Sequence, residues 1–484
     1  MIRGSRSNRN PKKSAKGQSK RSPQQIELLK KCSQVFSSEG DINQVALECL
    51  YAFLCKENIN ELNFNDLIEA GLAKGASVLS VLAIAASCGF AQNLDKVISS
   101  VDVKTLNFNF ICPSFPSIFQ GTTLLFWIMH ACTYGYTRCL ERVFAEIPLK
   151  NFNFKAKCNE GIFKGTDAFW MAALAAARGH PQYLDKILKH VPIKELNIDV
   201  VCQRPVRRVA PINLESAQSI PIETLTMLFC DLVLSPDEII EPFCGESTLH
   251  LLAQVAAQGK PEYLKNVLRK ITLTPQLLNQ KILEGPNKGA TLFHLIAEAE
   301  ARSAKPQGIL DEISNKVLME LDLNSVVEGG ESEGTTALYW LAAAAGNGRP
   351  GCFERIISKK PLCELNLKVR GKGRDCRDLT ILDWLARSVC FDLPKALERL
   401  MAQKAYDVND FKVKNGWGVT PLFFLARGSS RGQFKIFEEI LKEVSLDETD
   451  INSKYLNNNE NGTSLLWWLA LLAIDGKAQY LYNC

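Results

Sequence analysis

The chain has 484 residues, a formal net charge of +5 at pH 7 and 46% hydrophobic residues, which is ordinary for a folded globular protein. No apolar run reaches the roughly 18 residues of a membrane-spanning helix, and the first residues lack the apolar core of a secretory signal, so we expect neither a transmembrane segment nor Sec-dependent export. The 16 cysteines lack C-x-x-C spacing and there are only 5 histidines, so we predict reduced, mostly buried thiols in a cytosolic environment and no metal site.

Residues 1–24 form a basic tail. They carry eight Lys and Arg residues and no acidic residue, so residues 25–484 sum to −3 and the basic balance belongs to the tail. This composition predicts disorder. Two interpretations stay open: a flexible leader, or a targeting segment. Lys12–Lys13 and Lys20–Arg21 resemble the two clusters of a nuclear import signal, and such a tail can also attract nucleic acid or anionic membranes.

Residues 25–74 are predicted to be helical, because Leu47, Leu50 and Leu54 follow helical spacing. Leu62–Asn63–Phe64 resembles the end of the repeat unit described below. We therefore predict an N-terminal capping segment, which a stack of repeats needs to cover its first apolar face. A separate small functional domain is the alternative.

A repeat begins at Gly75 and continues to the end of the sequence. Its motif is Gly-x-Thr/Ser-x-Leu-x-x-Leu-Ala, and the starts are 40 to 46 residues apart, except for one gap of 80. That gap equals two periods, so we predict a degenerate unit near residues 205–240. The starts are Gly75, Gly121, Gly165, Gly245, Gly289, Gly334, Gly418 and Gly462, with Asp378 in place of glycine in one further copy.

Each unit predicts a helical hairpin followed by a long loop. The third residue is Ser, Thr or Asp before an apolar run, which suits a helix N-cap. A second glycine, 14 residues after the first in most units, favours a left-handed helix end. An amphipathic second helix follows, and an apolar residue before Asn, as in Leu106–Asn107, favours a turn. The predicted N-caps are Ser77, Thr123, Asp167, Ser247, Thr291, Thr336, Thr380, Thr420 and Ser464.

Two groups of residues are candidates for partner binding. One is a basic loop with Gly371 and Gly373 between its cations, where backbone N–H groups could approach an anion and Arg could pair phosphate. A solvated loop without a ligand is the alternative. The other group is aromatic: we expect Tyr339 and Trp417 to be exposed, as binding hot spots are. The basic candidates are Lys368, Arg370, Lys372, Arg374 and Arg377.

The last unit ends soon after Trp467–Trp468–Leu469–Ala470–Leu471–Leu472, with no polar cap. We expect bare apolar surface there, which favours either a truncated chain or contact with another molecule.

These units resemble ankyrin repeats. Thr420–Pro421–Leu422 matches the Thr-Pro-Leu segment of that family, and Asp407–Val408–Asn409 resembles its Asp-Val-Asn end. His250 and His294 occupy its histidine position, where the resemblance implies that the imidazole ties a helix start to adjacent backbone. The resemblance implies an all-α fold, an α-solenoid of about 10 ankyrin-like helix-turn-helix repeats over residues 75–484 with long connecting loops. The period is longer than the ankyrin period of about 33 residues, and HEAT-type helical pairs are the alternative.

The chain lacks the usual catalytic motifs, such as G-x-S-x-G, H-E-x-x-H and the P-loop pattern. We therefore predict a non-enzymatic protein–protein interaction scaffold without a cofactor. A secretion-delivered effector that binds a host protein in the host cytosol is one form of it, since the chain resembles ankyrin-like effectors of intracellular bacteria. The alternatives are electrostatic binding of nucleic acid or anionic lipid through the tail and the 368–377 loop, and an enzyme with its site in residues 25–74.

Overall fold

The computed structural model describes residues 21–37, 42–112, 120–159, 163–203, 246–303, 308–373, 376–447, 451–455 and 462–477. Within these ranges the protein is all-α: it contains 20 α-helices, short 3-10 turns and isolated β-bridges, but no β-strand. The first ten helices are α1 (Pro23–Ser33), α2 (Gln44–Lys56), α3 (Val78–Ser87), α4 (Gln92–Ser100), α5 (Leu124–Cys132), α6 (Arg138–Glu146), α7 (Ala168–Ala177), α8 (Gln182–His190), α9 (Thr248–Ala257) and α10 (Glu262–Leu268). The others are α11 (Pro275–Leu278), α12 (Leu292–Arg302), α13 (Asn315–Met319), α14 (Ala337–Gly346), α15 (Gly351–Ile357), α16 (Ile381–Val389), α17 (Lys395–Ala402), α18 (Pro421–Ser429), α19 (Phe434–Leu441) and α20 (Leu465–Ile474).

The first helix of each unit begins directly after its predicted N-cap. In eight of the nine units the capping side chain accepts a backbone N–H, as Thr123 does from Phe126 at 3.3 Å. Thr420 is the exception: its side chain makes no capping bond, and its carbonyl accepts the Phe423 N–H instead. The N-cap prediction is therefore confirmed for the other eight positions. The first helices are α3, α5, α7, α9, α12, α14, α16, α18 and α20.

The first helices pack against one another in chain order and form a central layer. Every residue of α3 is buried, whereas the second helix α6 buries only one face. The second helices form an outer layer, in which α4 packs against α6 and α15 against α17. In the Gly289 unit the second helix is reduced to the 3-10 turn Leu310–Glu312. The apolar stripes predicted from sequence are thus the contact faces of two helical layers.

The motif glycines are left-handed in every described copy, which the turn before each N-cap requires. At Gly334, with φ +80°, a Cβ atom would approach the Arg370 carbonyl oxygen to 2.6 Å. Asp378 and Asp392 stand where the two motif glycines lie in other units, and both are also left-handed, with φ of 55° and 65°. These turns are therefore a property of the unit geometry and persist without glycine at some cost in strain.

The units on either side of the long gap are direct neighbours in the stack. Helix α7 packs against α9, and Trp170 Nε1 donates to the Glu246 carbonyl at 3.1 Å. The degenerate unit expected near residues 205–240 lies outside the described residues, but no layer separates α7 from α9. The degenerate unit in this segment therefore stays a prediction.

Both ends of the stack depart from the units between them. At the N-terminal end α1 and α2 pack on α3 and α4, and Arg21 pairs with Asp66 at 3.2 Å. Ser22 caps α1, so folded structure begins a few residues before the predicted boundary at residue 24. At the other end α20 exposes Trp467 by 47%, at a position where Phe423 of the preceding unit is 1% exposed. The bare apolar surface expected in the last unit is thus present in the described residues.

Candidate binding surface

Each long loop folds back and closes onto the start of the following first helix. In the loop before α3, the Ile68 N–H donates to the Ala76 carbonyl at 2.9 Å and the Gly75 N–H donates back to the Ile68 carbonyl at 2.8 Å. The first of these bonds recurs in each of the other loops, and the second recurs in six of them. The residue before this clamp therefore occupies one repeated place on the loop, which we call the rim position. The rim positions are Leu67, Ile111, Lys157, Val201, Lys281, Val326, Arg370, Lys414 and Lys454, all exposed or half-buried.

Neighbouring loops are also tied to each other. The backbone N–H two residues after a rim position donates to the carbonyl of the preceding loop, as Lys372 does to Glu333 and Gly416 does to Arg377, both at 2.7 Å. The same bond recurs from Asn159 and Gln203. Because these bonds satisfy backbone groups that would otherwise need water, they hold the loops as one edge of the molecule.

An asparagine ladder adds a second link between loops. Asn65 Nδ2 donates to the Thr105 carbonyl at 2.8 Å, and its Oδ1 accepts the Asn107 N–H at 2.8 Å. Asn109, Asn279 and Asn324 make the same two bonds to the next loop. Asn279 and Asn324 are among the asparagines for which the sequence predicted a turn, but their bonds between loops were not predicted. Asn65 and Asn109 were missed, although a second Asn two places after Asn63 and Asn107 was a visible signal.

The structure places the described basic candidates together on one loop. Lys368, Lys372 and Arg377 are exposed, and Arg370 is half-buried at a rim position; Arg374 lies outside the described residues. No ion pair engages these four side chains within the described part of the chain. The next two rim positions are the exposed Lys414 and Lys454, which sequence reasoning did not find because rim register depends on the loop clamps. The basic surface is therefore wider than the 368–377 loop.

The proposed role of the loop glycines is wrong. The Gly371 N–H donates to the Leu379 carbonyl at 3.0 Å and the Gly373 N–H to the Glu333 carbonyl at 3.1 Å, so neither is directed at an anion. At both positions a Cβ atom would clash, with Cys376 at 2.4 Å and with the Glu331 carbonyl oxygen at less than that. Glycine is needed at Gly371 because Cys376 of the same loop is in close contact, and at Gly373 because the backbone of the preceding loop is.

The exposure expected for Tyr339 and Trp417 is also wrong. Tyr339 is 0% exposed and Trp417 is 7% exposed. Their rings meet the Trp384 ring at 6.3 and 5.9 Å, edge to face. The long loops cover the side of the first helices that faces away from the second helices, so aromatic residues there belong to the core.

The loop that precedes the basic loop of Arg370 is acidic. The loop before α14 carries the exposed Glu328, Glu331 and Glu333, and Glu328 pairs with Lys288. Lys281 at an earlier rim position pairs with Asp322 at 3.3 Å. Among the described residues, the rim positions Lys157, Arg370, Lys414 and Lys454 form no ion pair, and the last three of them lie on consecutive loops.

The buried histidines act within the fold. His250 Nδ1 lies 3.0 Å from the Ser247 N–H, and its Nε2 lies 3.0 Å from the Gln280 carbonyl, as expected for a residue that ties a helix start to backbone. His294 instead contacts Thr335 and Trp340 of the next unit, so its expected backbone tie is wrong. Burial lowers the pKa of His250 to about 4 and that of His294 to about 3.

Within the described ranges, no three His, Cys, Asp or Glu side chains are grouped to bind a metal, and no helix combines the length and apolar character needed to cross a membrane. The described cysteines are free thiols, and most are buried. A scan against protein-family models and a search of curated proteins both found no match to this chain.

Proposed function

We propose that this protein is a non-enzymatic scaffold, an α-solenoid of ankyrin-like units, that binds another protein along its loop rim. The observation that best supports this proposal is that backbone hydrogen bonds join neighbouring loops. One joins Lys372 to Glu333 and another joins Gly416 to Arg377. A surface held in this way loses little conformational freedom when a partner binds, so many shallow contacts can add up to useful affinity.

The ankyrin-like assignment is supported by local geometry. A left-handed residue, glycine in all but one case, precedes the N-cap in every unit where this position is described, His250 completes a capping box with Ser247, and each loop returns in a hairpin-like clamp. HEAT-type pairs do not need these features. One departure changes where a partner would bind: the first helices are covered by loops, so the contact surface is on the loops rather than on the helices.

The burial of polar groups supports a non-enzymatic role. His250 and Asp383, which have perturbed pKa values, are both hydrogen-bonded at helix starts in capping arrangements. Their hydrogen bonds stabilise helix starts. Their perturbed pKa values do not require a catalytic role, because structural networks also perturb the pKa of carboxyl and imidazole groups.

A second candidate function is electrostatic binding of nucleic acid or anionic lipid. The exposed Lys368, Lys372 and Arg377, which form no ion pair with another described residue, favour it, together with the basic tail. It differs from the scaffold in salt response, because polyanion binding weakens steeply between low and physiological ionic strength.

Affinity capture from eukaryotic cell lysate separates the two functions. The full chain is compared with a variant in which every Lys and Arg of residues 1–20 is Gln, which leaves the Arg21 ion pair intact. The scaffold predicts the same protein partners with both chains at low and physiological salt, after nuclease treatment. Loss of all partners with the tail charges, or capture of nucleic acid and lipid-associated proteins alone, would overturn it.

A further inference from the structure

We propose that the last three rim positions, Arg370, Lys414 and Lys454, form a track for an extended acidic peptide segment of the partner. This inference rests on the proposed scaffold function and specifies the chemistry of its partner. The three side chains hold the same place on consecutive loops, since the residue after each forms the clamp: Gly371 with Leu379, Asn415 with Val419, and Tyr455 with Thr463.

The spacing of the track follows from helix packing. Consecutive first helices lie about 8–10 Å apart, and the loops they carry repeat at the same distance. An extended chain advances about 3.3–3.6 Å per residue, so about three residues span one step. A segment with an acidic side chain at every third position can therefore place one carboxylate at each of the three loops, and about seven residues cover the track.

An aromatic contact and a backbone hydrogen bond hold the loops of the track together. Trp417, next to the clamp of Lys414, packs edge to face against Tyr455, the clamp residue beside Lys454, with ring centroids 5.9 Å apart. The Gly416 N–H ties the Lys414 loop to the Arg377 carbonyl. The three rim side chains thus project from a rigid base, and binding needs to order only the side chains themselves.

The surrounding charges favour a short acidic peptide over a nucleic acid. Lys368, Lys372 and Arg377 flank the first position and add attraction for carboxylates. On the preceding loop, the exposed Glu328, Glu331 and Glu333 place negative charge at the end of the track next to Arg370. A long polyanion would continue over these glutamates and be repelled, whereas a seven-residue segment ends before it reaches them.

The test is a binding measurement with two peptides of equal charge. Fluorescein-labelled 13-residue peptides carry four Glu residues among Gly and Ser, either at every third position or in one contiguous block. They are titrated by fluorescence anisotropy into the full chain whose residues 1–20 carry Gln in place of Lys and Arg, so that the tail does not bind them. We expect the spaced peptide to bind at least 5-fold more tightly than the clustered one.

A charge reversal locates the site. Lys414→Glu should bring the affinity for the spaced peptide down to that for the clustered one, whereas Lys270→Glu, at another exposed lysine beyond α10, should change it less than 2-fold. Circular dichroism confirms that both variants fold, as expected for substitutions of exposed side chains. Equal binding of the two peptides, or an equal loss in both variants, would overturn the track.

Two further outcomes distinguish the possible failures. If labelled single-stranded DNA of 20 nucleotides binds more tightly than the spaced peptide and Lys414→Glu abolishes that binding, the track serves nucleic acid and the peptide assignment is wrong. If neither peptide binds but affinity capture still yields protein partners, the acidic track fails and the scaffold stands. If capture yields no protein partner, the scaffold itself fails.

Discussion

Replacing His250 with Gln should remove part of the acid sensitivity of the fold. In the native structure Nδ1 faces the Ser247 N–H at 3.0 Å and Nε2 faces the Gln280 carbonyl at 3.0 Å, so the ring is neutral with its proton on Nε2. Protonation would place a second N–H against the Ser247 N–H and break the capping box. Gln at this position can still accept from the N-cap backbone, as in the usual capping box, but does not titrate.

The size of this pH effect on the free energy of unfolding follows from the pKa of His250. Burial lowers the pKa of His250 from 6.5 to about 4, against the opposing effect of the Gln280 bond. Because the folded pKa is depressed, the stabilisation is present above pH 6.5 and is lost as pH falls toward 4. The full difference corresponds to about 3 kcal/mol, of which about 2 kcal/mol is lost by pH 5.

The assay is urea unfolding followed by circular dichroism at pH 8, 7, 6 and 5. We expect the free energy of unfolding of the native protein to fall about 2 kcal/mol more than that of His250→Gln between pH 8 and pH 5. The other buried histidines are present in both chains and cancel in this difference. His190→Gln, at an exposed site on α8, is the control and should run parallel to the native protein. Parallel curves for His250→Gln would refute the assigned role of the imidazole.

Three other substitutions test the repeat geometry. Asn109→Ala removes the bonds to the Asn151 carbonyl and from the Asn153 N–H. We expect the free energy of unfolding in urea to fall by about 1 kcal/mol. An unchanged midpoint would show that water replaces these bonds. Asp378→Gly relieves a left-handed residue with φ 55°, and should stabilise by about 0.5–1 kcal/mol; a lower thermal midpoint would contradict the strain. Burial raises the pKa of Asp167 to about 7, so the folded state favours the protonated carboxyl and loses stability as pH rises from 4 through 7. Asp167→Thr should therefore lose less stability than the native protein between pH 5 and pH 8, and an equal loss would argue against it.

Local chemistry explains which parts of the fold could be predicted from sequence. N-caps, left-handed glycines and the apolar stripes depend on residues within one unit, and Thr420 is the one predicted cap whose side chain makes no capping bond. The direct contact of α7 with α9 could not be predicted in this way. A gap of two periods has the same length whether the extra residues join the stack or leave it.

The candidate surface was predictable only in part, because the loops decide it. The cationic loop was visible as composition, but the alignment of Arg370 with Lys414 and Lys454 depends on clamps between residues that are distant in sequence. The burial of Tyr339 was missed because helical periodicity describes only the helix and not what covers it. Aromatic residues within the loops, such as Phe163, which packs on Trp127 at 6.3 Å, were the available signal.

The most direct test of the account is affinity capture with two triple charge reversals of the full chain. One variant changes Arg370, Lys414 and Lys454 to Glu, and the other changes the exposed Lys186, Lys270 and Lys359, on or just after second helices, to Glu. The loop-rim scaffold predicts that the protein partners of the native chain are lost with the first variant and kept with the second. Partners that persist with the first variant, or that disappear only with the second, would place the binding surface on the helices and contradict the account.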